Sequence, residues 1–407
     1  MTSTPALPPE SGRTPHAADA QSIPSRILIS QMTSSLSPVG QVDDDLAAVL
    51  GADVASEWRR ARGPQPIAVW VDRVDGVPIA AVLTTRRPAT RATKIAHVWL
   101  ADGAMGSDAR LLNLIEAVIA DARTRGDVAV KWQSSDGAVT TDSASAGSAP
   151  HSFASSHSVS PERSGFTRMR SPYASAAGTE GVDGFIRWLR PTTHADRPYY
   201  AQTSSFTCGA VTALLASEIR GTGGFDTSRN TRDQELDFWR QASNFPSCEP
   251  IGLAVALRES LDDAAGTSPV EVFLDSENPV LLEVYTERFD RSFREELQAN
   301  SLRRALASDI GVRRERVSVS EIAERIQAGE LALLLIDLDP MFGFAVPHWV
   351  LAHAADDETV YLTDPWISAS WGETWVDAQE LPVALPDLDR MLAWGDTGYR
   401  GVIFITQ

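Results

Sequence analysis

Cysteine is scarce: Cys208 and Cys248 are the only two among 407 residues. That density lies far below the disulfide-stapled secreted scaffolds, so a fold held by cross-links is excluded and a reducing, cytoplasmic setting is expected. Long apolar runs are missing as well. No run approaches the roughly 18 uncharged apolar residues of a spanning helix. The longest candidate, residues 331–338, is strand-length and contains Asp337, and a soluble chain without a membrane span is expected. Residues 1–25 are rich in Pro, Ser, Thr and Ala and lack the apolar core of a secretory signal; they read as a disordered tail. Positive charge is also in short supply. With 36 Lys+Arg against 54 Asp+Glu the net charge is -18, which repels phosphate backbones and anionic bilayers, so nucleic acid is not an expected partner.

What is present divides the chain. Single cores stop growing near roughly 250 to 300 residues, so this length accommodates two domains. Residues 134–165 shift abruptly to Ser, Ala, Gly and Thr and read as a linker or loop. Before it, residues 26–133 form a small α/β domain. Apolar runs at 67–71 and 78–84 flank the turn Asp75-Gly76, a third run spans 95–100, a helix-periodic stretch covers 108–124, and a last strand lies at 128–132. This is a βββαβ unit. Residues 166–190 hold most of two short strand-like pieces (GFTRMR from Gly165 and GFIRWLRP from Gly184) whose partner sheet the sequence leaves open. Residues 191–407 form a third part. Helical patterns there (208–219, 231–242, 251–260, part of 285–307, 319–328) precede or alternate with strands at 270–274, 331–338, 349–354, 359–363 and 402–406. That order predicts an α+β domain with an antiparallel sheet.

Chemistry concentrates in this last part. Cys208 stands directly before a run whose small first turn and later Leu214, Leu215 and Ile219 mark the start of a half-buried helix. Orphan N–H groups and the helix dipole favour a thiolate there, although a lone cysteine at a helix start is commonly mere packing. Gln202 lies six residues earlier, in AQTSSFTCG, where its amide and the Cys208 N–H can converge on one developing oxyanion; an exposed loop glutamine is the plain alternative. His348 opens HWVLAHAADDETVYLTDPW, which reads as a hairpin about Asp356-Asp357. Pairing residues whose numbers sum to 712 sets His348 opposite Asp364, Val350 opposite Leu362 and Ala352 opposite Val360. A carboxylate so placed would hold the imidazole tautomer and stabilise the imidazolium. Taken singly, a strand-capping histidine and a turn aspartate before Pro365 are the ordinary explanations. His353, a rival base, points to the other face. Cys248 has Ala242 rather than Gln six residues before it and reads as packing.

The order Gln202, Cys208-Gly209, His348, Asp364 resembles the papain-fold peptidases, specifically the bacteriocin-processing (family C-39) peptidases and their stand-alone relatives, over about residues 197–366. The resemblance implies a papain-like cysteine peptidase domain with helices carrying Cys208, antiparallel strands carrying His348 and Asp364, and a peptide cleft between them. It further implies Cys208 as nucleophile, His348 as base, Asp364 as orienter and Gln202 as oxyanion donor, with no metal or cofactor and a peptide or protein as partner. Members that mature bacteriocins are usually joined to transporter membrane and ATPase segments, which this chain lacks. The long stretch after Cys208 reads as carrying insertions between 221 and 319. The βββαβ unit resembles the core of the GNAT superfamily of N-acetyltransferases. In LADGAMGSDARLLN, Gly103 and Gly106 are present without the spacing or basic residue of a pyrophosphate loop, so a degenerate, non-catalytic module is expected. A small α+β domain without that ancestry is the other reading. Two functions follow: a cysteine-type peptidase (thiol hydrolase), or an N-acetyltransferase-related protein whose C-terminal half silently binds peptide.

Overall fold

The structure, a computed structural model, describes residues 37–39, 41–101, 107–134, 159–192, 196–242, 246–261 and 270–406. The expected tail, most of the expected linker and the loop with Gly103 and Gly106 lie outside the described residues. Two seven-stranded mixed sheets organise the rest.

The N-terminal sheet is built from β1 (Ser37–Val39), then α1 (Asp44–Leu50), α2 (Ala52–Trp58), β2 (Ile67–Val74), β3 (Val77–Thr85), β4 (Ala92–Leu100), α3 (Ser107–Thr124), β5 (Ala129–Ser134), β6 (Thr167–Arg168) and β7 (Asp183–Trp188). Its order is β1-β2-β3-β4-β5-β7-β6. Asp75 (φ 49°) and Gly76 (φ 82°) both take the left-handed conformation that a tight two-residue hairpin needs. Strand alternation then sorts the side chains. Trp70, Ala80 and Val82 face α3 with Leu111, Ile115 and Val118, while Val69, Val71, Ala81 and Leu83 face Leu46 and Trp58 of the two short helices. Only β4 and β5, joined through α3, run parallel in this sheet among the described residues. The strands of 166–190 find their partner here: β7 pairs with β5, and β6 with β7.

The second sheet uses α4 (Cys208–Arg220), α5 (Thr231–Ala242), α6 (Pro250–Ser260), β8 (Val270–Leu274), α7 (Arg288–Ala307), β9 (Gly311–Arg313), α8 (Val319–Gln327), β10 (Leu331–Asp337), α9 (Asp339–Phe342), β11 (Pro347–Ala355), β12 (Thr359–Thr363), α10 (Trp375–Ala378), β13 (Leu381–Ala384), α11 (Leu385–Met391) and β14 (Gly401–Ile405). Its order is β13-β12-β11-β10-β14-β8-β9, with β8 and β9 parallel and the other pairs antiparallel. Helices cover both faces. Leu331, Leu333 and Leu335 pack with α4 and α6 on one side, and Ala332, Leu334 and Ile336 pack with α8 and α11 on the other. This double burial explains the uninterrupted apolar run of β10.

The β11–β12 register corrects the expected one. Leu351 pairs with Thr363 and Ala352 with Leu362, so the sum is 714 rather than 712, and a bulge follows between Ala352 and Ala354. Because successive side chains alternate between faces, a two-residue offset leaves the residues ahead of the bulge on their original faces. Val350, Ala352, Val360 and Leu362 do share one apolar cluster. On the 714 register Asp364 stands beside Val350 rather than opposite His348, and the two approach diagonally.

The two sheets are packed together. Ala92, Ala129, Met169 and Ile186 from the first share a buried cluster with Trp375, Val376 and Ala378 from the second. Gly184 lies flat beneath Trp375: a Cβ there would come within 2.5 Å of the indole.

Candidate functional site

Cys208 is the first residue of α4. The turn before it is fixed from the inside: Thr207 Oγ1 shares its one hydrogen between Ser204 O at 2.9 Å and Glu235 of α5. Glu235 is fully buried and also accepts from Tyr200 Oη (3.0 Å), Thr203 N (2.8 Å) and Thr203 Oγ1 (2.7 Å). A single carboxylate thus ties down the whole approach to the cysteine. Gly209 lets the helix sit close to its neighbours, since a Cβ there would meet Cys248 Cβ and Trp349 Cδ1 at 3.1 Å. Trp349 Nε1 donates to Cys248 O at 3.0 Å, and Thr212 Oγ1 donates to Trp349 O at 3.2 Å. These contacts dock α4 on β11 and set Cys208 relative to the residue before Trp349, which is His348.

His348 is buried at the start of β11. Its Nε2 lies 2.7 Å from Asp364 Oδ1, just past the end of β12, and Cys208 is close enough to act on the imidazole electrostatically. With Nε2 directed at the carboxylate, Nδ1 is left for the sulfur. Burial opposes a charged ring, but the Asp364 carboxylate and then Cys208 outweigh it and push His348 up to about 10. Burial works against the Asp364 charge too, yet His348 and Arg87 hold that carboxyl below its ordinary value. Asp364 is fully buried; Oδ1 also accepts from Trp366 N at 2.8 Å and Oδ2 from Arg87 Nη1 at 2.6 Å.

Gln202 is buried on the loop ahead of α4, and its N donates to Pro365 O at 2.8 Å, which links that loop to the residue after Asp364. Nε2 donates to Ser204 O at 2.8 Å, leaving one amide hydrogen for a further acceptor. Among the described residues, Oε1 has no hydrogen-bond partner. The structure therefore brings Cys208, His348 and Asp364 together, with His348 hydrogen-bonded to Asp364, and ties the Gln202 loop to Pro365 beside them. His353 lies at the β11 bulge, with Nε2 3.9 Å from Glu380 Oε2. Cys248 is buried, and burial, followed by Cys208 and Glu249, raises its thiol well above the ordinary value. Cys208 is partly accessible.

A family model described as Peptidase_C39 like family matches residues 197–406. The chain belongs to that family. The matched span holds all four candidate residues of this C39-like protein, from Gln202 to Asp364. Among solved structures it is similar to an acetyltransferase from Bacillus subtilis in complex with CoA (13% identity, 39% of this chain and 99% of that one, TM-score 0.25). It is also similar to the aminoglycoside 6'-N-acetyltransferase from Enterococcus faecium (10% identity, 37% and 92%, TM-score 0.25). A third is the GNAT domain of an S. lividans protein (17% identity, 38% and 90%, TM-score 0.24). No curated protein matches the C39-like chain. Among the described residues, no helix is long and apolar enough to cross a membrane.

Glu235 and Arg87 were not legible as parts of this site. Glu235 is one of several carboxylates in a polar helix, and Arg87 lies 277 positions from the aspartate it meets. No spacing rule in a single sequence joins either to Cys208.

Proposed function

We propose that this protein is a cysteine-type peptidase, a thiol hydrolase of papain-like arrangement that cleaves a peptide or peptide-like amide through Cys208, His348 and Asp364. The observation that carries the reading is a buried imidazole hydrogen-bonded to a buried carboxylate and under the electrostatic influence of a thiol at a helix start. An imidazolium beside a cysteine favours the thiolate, and a helix N-terminus adds to the effect. The Cys208 sulfur then bonds to the carbonyl carbon while the oxygen takes the electron pair, with the Cys208 N–H and the remaining Gln202 amide hydrogen as its donors. His348 delivers its proton to the departing amine as the C–N bond breaks, leaving a thioester. Water adds to that carbonyl as His348 takes a proton from it. The C–S bond breaks, the acid leaves, and the thiolate–imidazolium pair is restored.

Incubation with a pool of activated peptidyl esters, followed by mass spectrometry of the digested protein, tests this. Acylation at Cys208 that turns over with time, and is absent in Cys208→Ala, is expected. Acylation of neither cysteine, or of Cys248 alone, would favour a silent peptide-binding module.

A further inference from the structure

We propose that Arg87, carried by the loop between β3 and β4 of the N-terminal sheet, is a positioning residue for the thiol site on the other sheet. Its role is to hold Asp364 through the oxygen that His348 does not use, so the site is completed only when both sheets are present. The inference rests on the peptidase reading above and deepens it.

The geometry has three parts. First, both oxygens of Asp364 are held in direction: Oδ1 by His348 Nε2 at 2.7 Å and Trp366 N at 2.8 Å, and Oδ2 by Arg87 Nη1 at 2.6 Å. Rotation of the carboxylate would break a charged contact on one side or the other. Second, the guanidinium is itself clamped. Nε and Nη2 reach Glu373 Oε1 and Oε2 at 3.0 and 2.9 Å, Nη2 also donates to Trp366 O at 3.3 Å, and the group lies 4.9 Å from the centroid of the Phe342 ring. Glu373 is fixed in turn by Ser368 N at 2.9 Å and by Gln65 from the N-terminal part. Third, the loop bearing Arg87 is anchored across the sheet boundary. Arg91 N donates to Pro382 O at 2.8 Å, Lys94 pairs with Asp377, and Lys131 donates to Gln379 O. Ala89 within this loop takes a left-handed conformation (φ 57°) that non-glycine residues rarely adopt unless their surroundings enforce it.

Stability alone is a weak reason for such a cluster. Arg87, Asp364 and Glu373 are almost wholly buried, and buried ion pairs are often no more stabilising than apolar side chains of the same volume. What a rigid bidentate arginine supplies is direction: it keeps a second-rank carboxylate charged and aimed. The titratable and charged groups around Asp364 are His348 on β11 with Cys208 beyond it, Arg87, Tyr199 (whose Oη donates to Asp364 O at 3.0 Å), Glu373, and Asp377 on α10, already paired with Lys94. Besides the His348 ring, Arg87 is a cation in direct contact with the carboxylate, and its removal is opposite in sign to the removal of Glu373.

The test uses the full chain and follows the rate of Cys208 alkylation by iodoacetamide against pH, with peptide mapping to separate Cys208 from Cys248. Arg87→Met is expected to move the acid limb up by a few tenths to about one pH unit, less than the roughly one to three units of a partner in direct contact, because Arg87 touches Asp364 and not the sulfur. Arg87→Lys, which keeps the charge without the fork, should recover part of that displacement. Glu373→Gln, which leaves Arg87 to Asp364 alone, should leave the limb in place or move it down. A merely structural contact would move the Arg87→Met and Glu373→Gln limbs together. Coincidence of the Arg87→Met and native limbs overturns the proposal. If circular dichroism shows Arg87→Met unfolded, Arg87→Lys and Glu373→Gln decide: an Arg87→Lys limb moved up with the Glu373→Gln limb unmoved or moved down supports the role, and both moved in the same direction, or an unmoved Arg87→Lys limb, overturns it. A native Cys208 rate indifferent to His348→Ala would instead sink the peptidase reading itself, whatever the Arg87 variants do.

Discussion

Replacing Glu235 with alanine removes the acceptor for four donors at once: Tyr200 Oη, Thr203 N, Thr203 Oγ1 and Thr207 Oγ1. Tyr200 and Thr207 are fully buried, so their hydroxyls lose a partner where water does not readily follow, although Thr207 keeps Ser204 O. An orphaned buried donor costs about 1–3 kcal/mol. Counting Tyr200 in full, Thr207 in part and the less buried Thr203 groups lightly, the loss comes to about 3 kcal/mol, before any water enters the space left behind. Urea unfolding of native and Glu235→Ala protein measures it as a lower midpoint at an unchanged slope. The loop from Tyr200 to Thr207 carries Gln202 and leads into Cys208, so the same variant should also lower the Cys208 acylation rate more than it raises the substrate concentration for half-saturation. A loss of stability below about 1 kcal/mol would refute the view that this carboxylate organises the loop, because that is the ordinary cost of one exposed contact. Unchanged acylation would refute its link to the site.

Gly209→Ala sets a methyl 3.1 Å from Cys248 Cβ and Trp349 Cδ1, both held in place, and overpacking of this kind costs about 1–3 kcal/mol against roughly 0.5–1 kcal/mol gained in helix propensity; a small net fall in thermal midpoint is expected, and a rise would contradict the close packing of α4 on β11. His348, pushed up to about 10 in the fold, binds a proton there that the unfolded chain has lost above its usual value near 6.5. Its contribution is therefore full below about pH 6.5 and disappears as pH rises through the folded value, on the order of a few kcal/mol in all. Lys131, buried and lowered to about 7, acts in the reverse sense, with stability rising from there toward its ordinary value. The His348 term is isolated by subtracting the urea midpoints of His348→Ala from those of the native protein between pH 6 and 10: the difference should shrink as pH rises, and a constant or growing difference would refute the assignment.

Local features were readable in the sequence for physical reasons that also mark where reading stops. The turn at Asp75-Gly76 and the start of α4 at Cys208 depend on residues adjacent in the chain, and both stand where expected. The hairpin after His348 was displaced by two residues, because an unbroken register about Asp356-Asp357 was expected and local pattern does not mark the bulge after Ala352, yet the period of two in a strand kept His348 and Asp364 on one side. The strands of 166–190 joined the N-terminal sheet through pairing across a long connection, which local pattern does not encode. The Ser-rich stretch suggested two tethered parts. Instead, Arg87, Lys94 and Lys131, to which the sequence assigns no role, are buried against the second sheet. Contacts of this kind are set by the docking of finished surfaces and leave no spacing in a single chain.

The claim at the centre of this account is that His348 activates Cys208. Its most direct measurement is the second-order rate of Cys208 alkylation at near-neutral pH in native protein and in His348→Ala, with Cys248 followed in the same digest. The account predicts that Cys208 reacts well ahead of Cys248 and that His348→Ala slows it by about tenfold or more, as loss of an ion-pair partner would. Equal rates for the two cysteines, or a Cys208 rate untouched by His348→Ala, would contradict it.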